Sequence, residues 1–289
     1  MKRSDDTPSP PGDTSLPVTR RDFVTGLVGA GFALATQPIA ARTAIFTNGH
    51  GLLAGDVVIP VSDGEMAGYR AKPASGSAPP VILVVHEIFG VHEHIKDVCR
   101  RLAKLGYLAV APDLFARQGD VSRLSSIDAI RPVVAKVPDA QVLSDLDACM
   151  TWAATDGGNT GRLGITGFCW GGRITWLYTA HQPAIKAAVA WYGKLTGPVD
   201  PLRPLQPLDI AATLVAPVLG LYGAEDQSIP LPSIASMRAA LHATGGRSEI
   251  VIYPGAGHAF FADYRPSYRK SAAEDGWMRM QRWFMDHGV

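Results

Sequence analysis

The chain has few cysteines, almost no net charge and no long apolar run. Three cysteines in 289 residues are too few for a disulfide framework. The 27 basic and 26 acidic residues leave a formal net charge of +1, so charge does not favour nucleic acid or an anionic membrane as a partner. What is present is typical of a globular protein, because 47% of the residues are hydrophobic and 18% are charged.

The N-terminal residues 1–41 are expected to be separate from a single folded domain at 42–289. Residues 1–16 are rich in Pro, Ser and Asp, a composition typical of disorder. Arg20 and Arg21 precede an apolar run of about 12 residues, whereas a membrane span needs about 20. The pattern predicts a signal read by the twin-arginine export machinery, a periplasmic or secreted protein, and no stable membrane span after maturation. The alternative is a terminal helix with a chance arginine pair.

Short apolar strands alternate with amphipathic helices along the rest of the chain. Strands are predicted at 56–61, 66–71, 81–85, 107–111, 163–166, 185–191, 218–222 and 249–253. Helices are predicted at 93–105, 139–154, 232–244 and 268–287, with another opening near 174. This alternation predicts an α/β fold, with a mostly parallel sheet covered by helices on both faces.

The central motif is Gly-Phe-Cys-Trp-Gly-Gly at 167–172, between a predicted strand and a predicted helix. With Ser in place of Cys169, it is the nucleophile elbow of α/β-hydrolases. Gly167 and Gly171 would remove side chains that collide across so sharp a turn. The N–H of Trp170 would lie at a helix N-terminus and stabilise an oxyanion. Cys169 is therefore the candidate nucleophile.

A nucleophile needs a base, and the base needs an orienting acid. Asp226 follows one predicted strand, and His258 follows the next in a glycine-flanked loop, which is the chain order of this fold. Glu225 competes with Asp226 for the role of the acid. Each residue alone has an ordinary structural interpretation, but the order of all three favours a triad of Cys169, Asp226 and His258.

A second unusual motif is His-Glu-Ile-Phe-Gly at 86–90, which follows the third predicted strand. The N–H of Ile88 is the candidate for the other oxyanion donor. Glu87 is harder to explain, since a fixed carboxylate beside a thiol would oppose formation of the thiolate. The conflict disappears if Glu87 accepts a proton and meets Cys169 only when substrate is bound. The alternative is a pair between Glu87 and a surface arginine.

Four ordered motifs, at 86–90, 112–117, 167–172 and 257–260, resemble the dienelactone hydrolase (carboxymethylenebutenolidase) family. The resemblance runs from about residue 56 to the C-terminus. It implies the α/β-hydrolase fold and a triad of Cys169, His258 and Asp226. It also implies that Glu87 is the substrate-gated activator of the thiol, in a monomeric esterase or lactonase without cofactor.

The resemblance is weaker for substrate binding. The well-studied members of the family bind the substrate carboxylate with two arginines, one of them four residues after the catalytic histidine. That position is Ala262 in this chain, and Arg265 lies three residues further on. Arg117 and Arg123 are candidates for the other arginine, and Phe260 of the last motif is a candidate substrate contact. The resemblance does not extend to dienelactone as the natural substrate.

Other classes of function are less well supported. The main alternative is a non-catalytic protein that binds a small molecule on a hydrolase scaffold. A thiol redox protein would need a resolving cysteine, but Cys99 and Cys149 are predicted on helices as buried structural thiols. No metal site is expected, because His92 and His94 lie two apart at a helix start and should point away from each other. The sequence therefore favours hydrolysis of a small ester or lactone through an acyl-cysteine.

Overall fold

The computed structural model describes residues 44–289, so the predicted export signal lies outside the described residues. The described chain opens with an antiparallel hairpin of β1 (Leu52–Val61) and β2 (Gly64–Pro73). Gly64 has a φ of 145°, a value that residues with a side chain rarely adopt. The predicted opening hairpin is confirmed, and both strands are longer than predicted.

Six further strands complete one sheet: β3 (Pro80–Val85), β4 (Leu108–Pro112), β5 (Asn159–Phe168), β6 (Ile185–Trp191), β7 (Val218–Gly223) and β8 (Glu249–Tyr253). The strand order is β1-β2-β4-β3-β5-β6-β7-β8. β2 is antiparallel to both β1 and β4, and all other neighbours are parallel. The mostly parallel sheet is confirmed, and β6 and β8 have the predicted bounds.

The middle of the sheet is buried on both faces. All five residues from Val81 to Val85 are 0% exposed, although successive side chains of a strand point to opposite faces. Both faces of β3 must therefore be covered, as is usual for parallel strands. This is why β3 has an uninterrupted β-branched and leucine sequence rather than an alternating one.

The α-helices of the described chain are α1 (Glu93–Lys104), α2 (Ile127–Val134), α3 (Asp139–Thr155), α4 (Trp170–His181), α5 (Leu231–Ala243) and α6 (Lys270–Asp286). All but α2 were predicted, with bounds shifted by a few residues. Over residues 44–289, no helix is both long and apolar enough to cross a membrane.

Helix α2 was missed because it is short and contains a proline. It has eight residues, with Pro132 inside. The hydroxyl of Ser126 caps it by accepting a 3.2 Å hydrogen bond from the amide of Ala129. The helix matters because it lies over the carboxyl edge of the parallel sheet, where ligands bind in folds of this type.

Candidate active site

Cys169 lies in a strained turn between β5 and α4. Its backbone has φ 55° and ψ −112°, and a positive φ is uncommon for a residue with a side chain. Its amide donates a 3.0 Å hydrogen bond to the carbonyl of Trp191, and its carbonyl accepts from the amide of Arg173 at 3.2 Å. These bonds hold the turn in place. Strain of this kind collects at functional sites.

The two glycines around Cys169 have the steric role that the sequence predicts. A Cβ on Gly167 would lie 2.3 Å from the carbonyl oxygen of Gly171. A Cβ on Gly171 would lie 2.3 Å from the carbonyl oxygen of Val85 in β3. Both distances are far below van der Waals contact with backbone atoms that cannot move aside, so neither position tolerates a side chain.

The structure brings His258 between Cys169 and Asp226. His258 Nε2 lies 3.1 Å from Cys169 Sγ, and His258 Nδ1 lies 2.6 Å from Asp226 Oδ2. Asp226 is buried, whereas its competitor Glu225 is exposed and does not contact the imidazole. The arrangement is a thiol, an imidazole and a carboxylate in a hydrogen-bonded row.

Ser228 holds the second oxygen of Asp226, a role that sequence analysis missed. Its amide and its hydroxyl donate to Asp226 Oδ1 at 2.8 and 2.7 Å, and the hydroxyl oxygen also lies 3.2 Å from His258 Nδ1. An aspartate that accepts hydrogen bonds from a serine two residues later is a common turn, which could have been predicted from Asp-x-Ser. The contacts fix the carboxylate against the imidazole.

The charges of the row favour a protonated imidazole. Burial favours the neutral form of His258, but the Asp226 carboxylate and the Cys169 sulfur favour the charged form and raise the pKa of His258 to about 10. Burial opposes charge on Asp226 as well, yet its hydrogen bond with His258 lowers the pKa of that carboxyl below its usual range. Both shifts favour the imidazolium form of His258.

Glu87 is buried in the loop after β3 and has its own partners. The hydroxyl of Tyr264 donates a 2.7 Å hydrogen bond to Glu87 Oε2, and His92 Nε2 lies 3.8 Å from the same oxygen. Burial alone would raise the pKa of Glu87, but His92 and Arg265 stabilise the carboxylate and lower it to about 2. Glu87 Oε1 is buried without a hydrogen-bond partner among the described residues.

His92 and His94 do not point apart, so the prediction about their geometry is wrong. Their rings are 6.1 Å apart at an interplanar angle of 18°. The cause is that His92 caps α1 in an extended conformation (φ −89°, ψ 175°), whereas the prediction assumed helical geometry at both residues. Within residues 44–289 there is still no group of three or more side chains suited to a metal ion.

A cavity of about 380 Å³ opens beside the thiol. Cys169, His258 and Glu87 line it together with both candidate oxyanion donors, Ile88 and Trp170. Trp170 is the first residue of α4, and the first amides of a helix have no acceptor within the helix. The volume lies within the range of small-molecule sites.

Of the three candidate arginines, only Arg265 reaches the cavity. Its guanidinium lies 5.4 Å from the ring of Phe89. Arg117 instead bonds to Asp63 at 2.6 and 2.7 Å and to Asp145 at 2.7 and 3.0 Å.

Arg123 and Phe260 also lie elsewhere, for different reasons. The side chain of Arg123 is 86% exposed and pairs with Asp120 three residues earlier. Phe260 is fully buried and packs on Trp191 and Tyr192 behind the site. Arg117, Arg123 and Phe260 are thus not among the residues that line this cavity.

Tyr192 is a cavity residue that sequence analysis missed. It lies directly after β6 with a φ of 37°, and its ring is 5.3 Å from that of His258. The residue is 0% exposed, and its hydroxyl has no hydrogen-bond partner among residues 44–289. A buried unsatisfied hydroxyl beside a reactive group calls for an explanation. Arg131 of α2 and Lys194 also line the cavity and were missed because neither belongs to a motif.

The other two cysteines are structural, as predicted. Cys99 and Cys149 are 0% exposed and unpaired, on α1 and α3. Burial raises the pKa of the Cys99 thiol to about 12, so it is inert at neutral pH. Neither of them lines the cavity around Cys169.

The chain is similar in sequence to one protein family and to curated proteins of bacteria. The profile of the dienelactone hydrolase family matches residues 66–288. A protein of Methylorubrum extorquens is 61% identical over 274 residues, covering 94% of each chain, and one of Escherichia coli K12 is 55% identical over 261 residues, covering 90% of this chain and 96% of that one. Both are described as "Putative carboxymethylenebutenolidase".

A solved structure is similar over most of the described residues. It is described as "Putative Dienelactone Hydrolase from Klebsiella pneumoniae" and superposes with a TM-score of 0.80. It is 56% identical in sequence, and the match covers 81% of this chain and 98% of that one.

Proposed function

The chain belongs to the dienelactone hydrolase family and has its α/β-hydrolase fold, and we propose that it hydrolyses a small ester or lactone through an acyl-enzyme on Cys169. The observation that carries this proposal is the pair of contacts of His258, 3.1 Å to Cys169 Sγ and 2.6 Å to Asp226 Oδ2. A nucleophile, a base and an orienting acid in this order support acyl transfer.

The first step needs a proton acceptor other than His258. Against the effect of burial, the hydrogen bond with Asp226 raises the pKa of His258 to about 10, so the imidazole is a poor acceptor for the thiol proton. We assign the acceptor role to Glu87, whose carboxylate lines the same cavity as Cys169. The proton then moves from the thiol to Glu87, and the thiolate is stabilised by the imidazolium.

Substrate binding can switch Glu87 into this role. Against burial, His92 and Arg265 lower the pKa of Glu87 to about 2, which makes it a weak base in the free enzyme. A substrate carboxylate bound to Arg265 would neutralise part of that positive charge, so Glu87 becomes more basic and is free to turn towards Cys169. Arg265 thereby takes the carboxylate-binding role that other family members give to the position of Ala262.

The thiolate of Cys169 then adds to the carbonyl carbon of the ester. A C–S bond forms, and the carbonyl electron pair moves to oxygen, where the N–H groups of Ile88 and Trp170 hold the oxyanion. When the carbonyl re-forms, the C–O bond to the leaving alcohol breaks, and His258 Nε2–H gives its proton to that oxygen. The product of this half-reaction is a thioester on Cys169.

Water completes the reaction. His258, now neutral, takes a proton from water, and the hydroxide adds to the thioester carbon. The C–S bond breaks and releases the thiolate of Cys169, which recovers its proton from Glu87. An ester gives an acid and an alcohol, and a lactone gives one hydroxy acid. All atoms come from the substrate and water, so this reaction needs no cofactor.

The cellular setting belongs to the same proposal. The arginine pair at 20–21 supports export by the twin-arginine machinery to the periplasm or the medium, where the mature chain would act as a monomer. The alternative function, a non-catalytic binding protein on this scaffold, predicts that the chain binds small molecules without turnover.

Hydrolysis of p-nitrophenyl acetate and of a lactone panel tests the proposal, with mass detection of the acyl adduct. Cys169→Ala and His258→Ala should each lower kcat by about 10⁴-fold, the usual loss for a triad member. Cys99→Ala is the matched control, since it removes a buried thiol that does not line the cavity. A Cys169 or His258 variant that keeps more than a tenth of wild-type kcat would contradict the proposal. Absence of turnover by the wild-type chain would favour the binding protein.

A further inference from the structure

The cavity beside Cys169 has more positive charge on its walls than a neutral ester requires. Besides His258, which is paired with Asp226, four basic side chains line it, those of Arg131, Arg173, Lys194 and Arg265, and the only lining carboxylate among the described residues is that of Glu87. The whole chain has a formal net charge of only +1, so this concentration is local. Basic walls around a small cavity attract anions.

Two of the four basic side chains are balanced by acidic ones. The guanidinium of Arg173 bonds to both carboxylate oxygens of Asp139 at 2.7 and 2.8 Å, in the buried wall of the site. Arg265 forms no direct ion pair with Glu87, but against the effect of burial the charges of the two residues stabilise each other. The charges of Arg173 and Arg265 are therefore already compensated in the free enzyme.

The other two are not balanced. Arg131 lies on α2, and Lys194 follows β6. Both are exposed at the mouth of the cavity, and neither forms an ion pair or a side-chain hydrogen bond with the described residues. Elsewhere in the chain, Arg117 and Arg203 do pair with nearby aspartates. Arg131 and Lys194 are therefore exposed cations in the cavity wall with no ion-pair partner among the described residues.

We propose that Arg131 and Lys194 form a second anion subsite at the mouth of the cavity. The substrate is then an ester or lactone with two anionic groups, one at Arg265 and one at this mouth pair. The inference rests on the proposed function and narrows its substrate class. Carboxylate and phosphate oxygens share the chemistry that a guanidinium and an ammonium recognise, so both fit the mouth pair.

Charge balance explains why a second anionic group should strengthen binding. A substrate carboxylate that replaces Glu87 at Arg265 leaves the charges of Arg131 and Lys194 unchanged. A second anionic group neutralises them, and it does so in a partly exposed position where each contact adds little on its own and salt screens it. The expected signature is a modest preference for dianions that weakens as ionic strength rises.

Calorimetric binding of unreactive probes tests the subsite without any need for turnover. Each linear dicarboxylate from succinate to pimelate is compared with its own monoamide, so that length and shape are kept while one charge is removed. Phosphonate analogues of the best dicarboxylate distinguish a carboxylate from a phosphate preference. The wild-type chain should bind at least one dianion about tenfold more tightly than its monoamide at low salt.

The matched variants are the double substitution Arg131→Gln with Lys194→Gln, and Lys136→Gln as control. Lys136 is an exposed lysine just after α2 that does not line the cavity. The double variant should lose the preference for dianions while still binding monoamides, and that binding shows that it has folded. Lys136→Gln should keep the preference.

Two results would overturn the subsite. One is equal binding of dianion and monoamide by the wild-type chain at every length. The other is a preference that survives in the double variant. Since binding is measured directly, failure of the proposed hydrolysis would appear separately, as absent ester turnover in the same preparation.

Discussion

The hydroxyl of Tyr264 donates a 2.7 Å hydrogen bond to Glu87 Oε2, and both residues are buried. Within residues 44–289 no hydrogen bond joins Glu87 to Cys169, whose sulfur instead lies 3.1 Å from His258 Nε2. Glu87 therefore has a resting partner other than the thiol. The proposed role of Glu87, which is to act only after substrate binds, needs such a partner, and Tyr264 is hydrogen-bonded to its carboxylate.

Alkylation of Cys169 by iodoacetamide should report this restraint. The free wild-type enzyme should react slowly at neutral pH, and a substrate analogue that binds at Arg265 without covering the sulfur should speed the reaction. Tyr264→Phe should react several-fold faster without analogue, because Glu87 is no longer held. Tyr107→Phe is the control and should behave as wild type, because Tyr107 lies just before β4 and does not line the cavity. If the wild-type enzyme is alkylated at the same rate with and without analogue, Glu87 has only a structural role.

Glu87→Gln should separate catalysis from binding. The amide keeps the shape of the side chain but cannot take the thiol proton, so kcat for an ester should fall by roughly 10²–10⁴, the range for a general base. KM should change much less. Steady-state kinetics on one ester decides the matter, and a near-normal kcat would refute the proton-acceptor role.

The dependence of stability on pH should have an acidic limb and an alkaline limb, and one histidine of the site contributes to each. Burial lowers the pKa of His92 to about 4, so the unfolded chain binds more protons between pH 6.5 and 4, and stability falls on acidification by about 1.4 kcal/mol per pH unit for one proton. The pKa of His258 is raised to about 10, so its contribution is complete below pH 6.5 and is lost as the pH rises towards 10.

Urea unfolding across this range checks both limbs. His92→Gln should make the acidic limb shallower, since burial lowers the pKa of His86 as well and leaves its share of that limb, and His258→Gln should make the alkaline limb shallower. A wild-type curve that stays level between pH 6.5 and 4 would contradict the neutral, buried state of His92.

Several features of the fold and of the site could be predicted from the sequence, because each depends on residues close together in the chain. β3 is readable as an uninterrupted apolar run since both of its faces are buried, and Gly167 and Gly171 are readable because the turn at Cys169 leaves no room for a side chain. The residues of the proposed triad were found for a similar reason, since each follows a recognisable strand.

The features that were missed depend on tertiary partners. Arg117 resembled a substrate ligand until the structure paired it with Asp63 and with Asp145, which lies 28 residues away. No pattern around Arg265 shows that its loop reaches the cavity. Ion-pair choice depends on which helices and loops meet, and spacing along the chain does not contain that information.

Export should require arginine itself at positions 20 and 21, and a positive charge alone should not be enough. Changing Arg20 and Arg21 to lysine keeps the charge, yet the chain should accumulate in the cytoplasm, because the export machinery reads arginine itself. Arg3→Lys, outside the pair, is the control and should leave export intact. Cell fractionation measures the outcome, and a double-lysine chain still found outside the cytoplasm would reject the signal.

Tyr192 and Tyr222 are both 0% exposed, but only one hydroxyl has a partner among the described residues. The Tyr222 oxygen accepts a 3.0 Å hydrogen bond from Trp176 Nε1, whereas the Tyr192 hydroxyl has none and lines the cavity. Removing an unpartnered hydroxyl costs the folded state nothing, while removing a partner leaves a buried group unsatisfied.

The two tyrosines should therefore respond in opposite ways. We expect the Tyr192 hydroxyl to bond a substrate oxygen, so Tyr192→Phe should keep or raise the melting temperature and lower kcat/KM for anionic esters about tenfold. Tyr222→Phe should cost about 1–3 kcal/mol of unfolding free energy, since Trp176 Nε1 loses its acceptor, with activity little changed at a stabilising temperature. If Tyr192→Phe instead lowered stability and left kcat/KM intact, the hydroxyl would be a structural group and the strained backbone at Tyr192 would need another explanation.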